Sequence, residues 1–427
     1  MPSCFSSFFA VALVASQVAL ALPPSASLPS ASEPTIHTDS LSNTPLPTES
    51  AQSNKHLPEI RAFPDGPSVL ASIYQKYGAS IPNDLAISLQ LRQKSGPFDF
   101  YLLSATETFR TPVFIGQSEK TFKLIFDTSS AGIWILSKDA ADPKLQEGYD
   151  ADDSPSSVKM ELSSWRMRHG DNDIASGDVY QDILSIGTPE NGITVMKQAI
   201  QVATSASGFE ALSGVSGVMG MAFRSRNPIR PESQPSLFDN IAENQKLQDG
   251  VFTVDMHRKS RGTIEFGYID GDAFTGKLGY SNVNSEAGYW NFTIGGLIGD
   301  AAPAPDGIEF AIADTTSSMV MLPMSYTSTY YKQVSDARYS FKYGGFVFPC
   351  ASTMPDFPFK VGDADIVIPG EYLKFSSIEE EQDLCFGVLQ PSNELGFNVI
   401  GTVAFNSAFV VFDPLNFQIG WANKQAQ

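Results

Sequence analysis

The chain is poor in cysteine, histidine and positive charge. Of its 427 residues three are Cys and four are His, and 28 Lys and Arg stand against 47 Asp and Glu, a net charge of −19. That balance argues against nucleic acid or an anionic membrane surface as a partner. No H-E-x-x-H, C-x-x-C or G-x-S-x-G pattern occurs, so none of these signatures of a metal, cofactor or covalent nucleophile is present. Beyond an apolar stretch over Phe8 to Leu20 there is no run of 18 apolar residues, which leaves no membrane-spanning segment. Cys4 lies in the N-terminal segment just before that stretch. Cys350 and Cys385 are left either as one disulfide in the second half or as two free thiols.

The apolar start ends at Ala19-Leu20-Ala21, a small-residue cleavage pattern, although no Lys or Arg precedes it. It reads as a signal peptide over residues 1–21 of a secreted protein, with a retained signal anchor as the lesser alternative. Residues 22–55 are rich in Ser, Pro, Thr and Ala, the composition of a disordered or O-glycosylated spacer. Pro67 to Tyr77 has helix-period apolar spacing, and Ile81-Pro82-Asn83-Asp84 is placed to start a second helix over Leu85 to Leu91. From about residue 98 short apolar runs alternate with Gly, Asn, Asp and Ser turns, an all-β pattern. Short helices are expected at Pro235 to Gln245 and Ser325 to Val334.

Within the β body two stretches echo each other. Leu124-Ile125-Phe126-Asp127-Thr128-Ser129-Ser130 returns as Ala311-Ile312-Ala313-Asp314-Thr315-Thr316-Ser317. An apolar strand that ends in a carboxylate is costly unless the charge is paired or hydrogen-bonded. Using it twice suggests two carboxylates that meet and share one proton, an arrangement suited to activating water. The echo continues in Gly217-Val218-Met219-Gly220 and Asn398-Val399-Ile400-Gly401. Each half reads Asp-Thr, a long β-rich body, then an apolar-apolar-Gly strand, as two related lobes would.

This ordered series resembles the pepsin-like aspartic peptidases, in particular the fungal penicillopepsin and aspergillopepsin group. Thr111 to Gly116 is similar to that group's first mature strand, and Ile133-Trp134-Ile135, Ala175 to Tyr180, Gly267 to Asp270 and Gly288-Tyr289-Trp290 are further group-like segments. The resemblance implies a bilobal all-β fold with Asp127 and Asp314 facing each other across a peptide-binding cleft. It divides the chain into a signal peptide (1–21), a spacer and prosegment (22–97), an N-terminal lobe (98–275) and a C-terminal lobe (276–427). It further implies that Thr128 and Thr315 lock the two active loops together, that Ser130 and Ser317 bond the outer carboxylate oxygens, and that Lys76 is placed like a prosegment lysine that pairs with the dyad, a helix-surface lysine being the simpler reading.

The chain departs from the family pattern at three places. The family's Gly after Asp-Thr is Ser129 in one half and Thr316 in the other, and the flap's Tyr-Gly-Asp is His169-Gly170-Asp171, which would sit near Trp134. A β-carbon at Ser129 or Thr316 crowds a spot built for close approach, with strain if the backbone there needs positive φ. Ser216 stands where the group carries Asp, Asn291-Phe292-Thr293 is a glycosylation sequon, and Arg258-Lys259-Arg261 is read as a solvated turn. The leading expectation is a secreted, monomeric aspartic endopeptidase made as a zymogen and acting on peptides or proteins. The competing reading is a non-peptidase homologue, either a cleft-binding protein or an acid–base enzyme of small-molecule biosynthesis.

Overall fold

The computed structural model describes the strand Thr35–Thr38, residues 65–92 and residues 109–425, apart from short stretches at 118–119, 142, 144–145, 170–171, 188–191, 207–213, 245–246, 248, 259–261 and 297–308. The expected signal peptide and most of the spacer lie outside the described residues. Within the spacer, Thr35–Thr38 pairs antiparallel with Gly262–Phe266, an edge strand whose free backbone groups invite such an addition.

The two expected helices form close to their predicted limits, as Gly66–Lys76 and Asn83–Arg92. The first starts where Asp65 accepts the Ser68 N–H at 3.1 Å, has Pro67 in its first turn, and is followed by Gly78 at φ +69°. Its apolar face is long enough to bury Val69, Leu70, Ile73 and Tyr74 against Met319, Met321, Val347 and Phe386 of the second half. The Tyr74 hydroxyl donates to Pro391 O at 2.7 Å, and Arg92 spans Asp65 and Glu380 at 2.6 and 2.9 Å. Both helices are therefore docked elements, held mainly by packing.

The rest is β-rich. In the first half Thr121–Asp127 runs parallel to Gly217–Gly220, which is antiparallel to Ile133–Leu136, itself parallel to Ile193–Ala206. In the second, Glu309–Ala313 runs parallel to Asn398–Ile400, which is antiparallel to Val320–Leu322, itself parallel to Leu389–Pro391. The sequence echo is thus a repeat of topology, with each Asp at or just past the end of the first strand of its set. Phe252–Asp255 and Gly262–Phe266 join the sheet of Ala408–Asp413 and Gln418–Lys424, and the proposed cut at residue 275 falls inside the strand Phe274–Asn284. A shared sheet under both halves needs strands from each, which turn signals do not reveal.

Aromatic rings fill the ground beneath this seam. Phe252 stacks on Phe412 with centroids 4.6 Å apart, Trp290 meets both edge-on, and the Trp290 indole N–H donates to Met221 O at 2.9 Å. Cys350 and Cys385 form the disulfide, closing a loop of 35 residues between Gly345–Pro349 and Glu381–Gly387. Helices also appear at Leu237–Asn244 and Met324–Tyr331 as expected. No helix among the described residues is long and apolar enough to cross a membrane.

Candidate active site

Each carboxylate is delivered by a buried strand to a tight loop that rests on a glycine. At Gly220 a β-carbon would come within 2.5 Å of Ser130 O, and at Gly401 within 2.1 Å of Ser317 O. Only glycine permits those approaches. The loops are then stitched across the seam. Thr128 Oγ1 donates to Ala313 O at 2.8 Å and Thr315 Oγ1 to Phe126 O at 3.0 Å, while each hydroxyl accepts the other threonine's N–H at 3.1 Å. Both threonines are fully buried. The two side chains thus join the two loops by four hydrogen bonds.

The structure brings Asp127 and Asp314 together. Asp314 is fully buried and Asp127 nearly so. Asp127 Oδ1 accepts the Ser129 N–H at 2.8 Å, and Asp314 Oδ1 accepts the Thr316 N–H at 2.9 Å. A backbone N–H bond to the carboxylate is thus present in both loops. Neither site needs a left-handed backbone: among the described non-glycine residues only Asp336 and Phe417 have positive φ, so the strain considered for Thr316 is not present.

The new hydroxyls turn inward. Ser129 Oγ donates to Asp127 Oδ1 at 2.5 Å, and Thr316 Oγ1 lies 3.1 Å from Asp127 Oδ1 and 2.9 Å from Asp314 Oδ1. Ser317 bonds Asp314 Oδ2, as expected. Ser130 does not match it. Its Oγ is buried without a hydrogen-bond partner, because Ser129 one position earlier already supplies the hydroxyl to Asp127.

The dyad is capped by the first helix. Lys76 Nζ donates to Asp314 Oδ1 and Oδ2 at 2.9 and 2.8 Å and to Thr316 Oγ1 at 2.5 Å, and lies 3.9 Å from Asp127 Oδ1. The reading of Lys76 as a helix-surface residue is therefore overturned. Tyr77, which sequence reasoning treated only as the end of a helix, donates its hydroxyl to Asp314 Oδ2 at 2.8 Å and packs edge-on against Tyr289 and Phe397. Burial alone would raise the pKa of Asp314. The Lys76 ammonium, with the bonds from Lys76, Ser317 and the Thr316 amide, overcomes it and pulls the carboxyl down to about 2. Burial disfavours the charged Lys76, but Asp314 and Asp127 hold it above the ordinary lysine range. Burial and then Asp314 push the Tyr77 phenol well up.

A cavity of about 210 Å³ opens beside the dyad, lined among others by Trp134, Trp165, Gln201, Tyr289 and Thr316. Trp134 and Trp165 lie 6.0 Å apart, and the buried Gln201 carboxamide has neither its nitrogen nor its oxygen hydrogen-bonded. Nothing in the sequence pattern singled Gln201 out. Trp165 belongs to Val158–His169, which with Asn172–Ile186 makes the expected hairpin, His169 pairing with Asn172. Gly170, Asp171 and the His169 side chain lie outside the described residues. Ser216 is buried, and its backbone bridges Lys123 and Leu136. Asn291 is half-buried in a strand paired on both sides, with its Oδ1 out of solvent. Arg258 lies over the Tyr372 ring at 5.2 Å rather than free in solvent, while Lys259 and Arg261 lie outside the described residues.

The family described as eukaryotic aspartyl protease matches this chain by its sequence profile over residues 108–424. Endothiapepsin of Cryphonectria parasitica is 37% identical over 373 residues, covering 84% of this chain and 87% of its own. Aspergillopepsin-1 of Aspergillus fumigatus and penicillopepsin-1 of Penicillium rubens are each 34% identical, covering 83% of this chain and 87% of theirs. The crystal structure of an aspartic proteinase from Irpex lacteus superposes with a TM-score of 0.60 at 18% identity, covering 75% of this chain and 95% of that one, and so shares its fold. With two glycine-seated Asp-Thr loops cross-bonded at one seam, and with that match over most of its length, the chain belongs to the eukaryotic aspartyl protease family, in its fungal pepsin-like branch.

Proposed function

We propose that this protein is a secreted aspartic endopeptidase made as a latent precursor, in which Asp127 and Asp314 activate water against a peptide bond in the cleft. The observation that carries this reading is the Lys76–Asp314 pair. A buried carboxylate held near a pKa of 2 by one lysine is a plug that acid can loosen, and a plug serves a cleft that must be kept from acting. A plain binding protein has no such need. Once Lys76 and Tyr77 leave, burial favours the neutral form of Asp314, while Asp127 keeps its bonds from the Ser129 amide and hydroxyl. One carboxylate then serves as base and the other as acid. The segment 22–97 is the proposed prosegment, and the fungal peptidases named above support peptides or proteins as substrates.

The inward hydroxyls of Ser129 and Thr316 favour the second reading, a homologue without peptidase activity. The test is to purify the full chain, shift it to about pH 3–4, and follow loss of the N-terminal segment and pepstatin-sensitive cleavage of a mixed peptide library. Cleavage is the expected result. No cleavage by the wild type, and none by Ser129→Gly/Thr316→Gly/His169→Tyr, would overturn the endopeptidase reading.

A further inference from the structure

We propose that Thr316 is a third catalytic residue, whose hydroxyl relays a proton between the attacking water and Asp127. This rests on the endopeptidase reading and concerns how this particular site would carry it out.

The positions on the page set the argument. Lys76 Nζ marks a polar place bonded to both oxygens of Asp314 and 2.5 Å from Thr316 Oγ1, yet 3.9 Å from Asp127 Oδ1. A water that takes over this place when the helix leaves touches Asp314 and Thr316 but stands beyond hydrogen-bond range of Asp127. Thr316 Oγ1 spans the gap, 3.1 Å from Asp127 Oδ1. Its direction is fixed on three sides. The backbone is held by the Thr316 N–H bond to Asp314, the preceding Thr315 is locked across the seam, and a β-branched side chain has few χ1 choices.

The step balances with water as the only co-reactant. The water oxygen bonds to the scissile carbonyl carbon and passes a proton to Thr316 Oγ1, which passes its own proton to the Asp127 carboxylate. The carbonyl π pair moves to oxygen, which takes the proton of neutral Asp314. The product is a tetrahedral diol, with Thr316 unchanged and the dyad's single proton moved from Asp314 to Asp127. When the C–N bond breaks, that proton goes to the leaving nitrogen and a diol proton returns to Asp314.

The test compares acid-activated full-length chains carrying Thr316→Val, Thr316→Ser and Thr316→Gly with the wild type, reading kcat and KM separately on one peptide. Valine keeps the bulk and removes the relay. The inference expects kcat to fall at least 100-fold with KM within threefold, in the range of a lost proton-transfer group. Serine restores kcat to within about fivefold. Glycine, which lets water reach Asp127 itself, is at least as fast as the wild type. A Thr316→Val enzyme within fivefold of wild-type kcat overturns the relay while the endopeptidase reading stands. A wild type that cleaves nothing, alone or with Thr316→Gly, removes both.

Discussion

Lys76 Nζ sits on Asp314 and stands off Asp127, 2.8 Å from Oδ2 of the first and 3.9 Å from Oδ1 of the second. The asymmetry makes Asp314 the carboxylate whose charge is coupled to the docked helical segment. It also makes the Lys76–Asp314 pair the first place to test latency.

Lys76→Met is expected to leave Asp314 buried without its cation. Breaking a buried pair from one side costs about 3–5 kcal/mol, so Asp314 will take up a proton and the docking of Gly66–Arg92 will weaken. Limited proteolysis at neutral pH, following cuts after Arg92, should show that segment released in the variant and protected in the wild type. Equal protection in both would remove Lys76 as the latch.

The pH dependence has a definite sign. The Asp314 carboxyl lies near 2 in the docked form, below the ordinary value of 3.8. Such a group stabilises docking fully above its undocked pKa, and the contribution fades as pH falls toward the docked value. Undocking, followed by Trp fluorescence or by size, should therefore increase as pH falls toward the docked value and reverse as pH is raised. Undocking that grows as pH rises would point to a different titrating group.

Thr128→Val and Thr315→Val each strand a carbonyl and an N–H across the seam. Each should cost about 1–3 kcal/mol in chemical denaturation, and the double variant less than the sum, since the four bonds form one network. Thr315→Ser keeps the bonds and should stay within about 1 kcal/mol. Full additivity would show that the two threonines act separately.

Gly401→Ala places a methyl 2.1 Å from Ser317 O and 2.3 Å from Met319 O. The loop bearing Asp314 must move, with a loss of about 1–3 kcal/mol and a fall in any acid-activated cleavage. An alanine variant as stable and active as the wild type would show that the loop is looser than its contacts suggest.

Cys350→Ser/Cys385→Ser opens a 35-residue loop in the second half. The chain-entropy relation puts the loss at roughly 3–4 kcal/mol. Cleavage at permissive temperature should be unaffected, because neither cysteine lines the cavity beside the carboxylates. Thermal unfolding with and without the pair checks it.

Much of this architecture is legible in the sequence because it repeats. The Asp-Thr loops and the glycine strands announce themselves twice, at matched spacing, and the helix limits follow from Asp65, Pro67 and Gly78. What the sequence hides is choice between neighbours. Ser129 and Ser130 both offer a hydroxyl within three residues of Asp127, and only the fold of the turn decides that the first bonds the carboxylate while the second bonds nothing. Tyr77 is similar: its spacing fits a helix end, and its bond to Asp314 arises because the helix ends over the seam. Long-range strand pairing is hidden for another reason. Strand pairing between Phe252–Asp255 and Ala408–Asp413 joins residues far apart in the chain, and local turn signals carry no trace of it.

The paired threonines also bear on mechanics. Because Thr128 and Thr315 clamp the loops at their base, the two carboxylates are tied to each other through the backbone of both halves. Any displacement of one half against the other would pull on four buried hydrogen bonds before it parted Asp127 from Asp314.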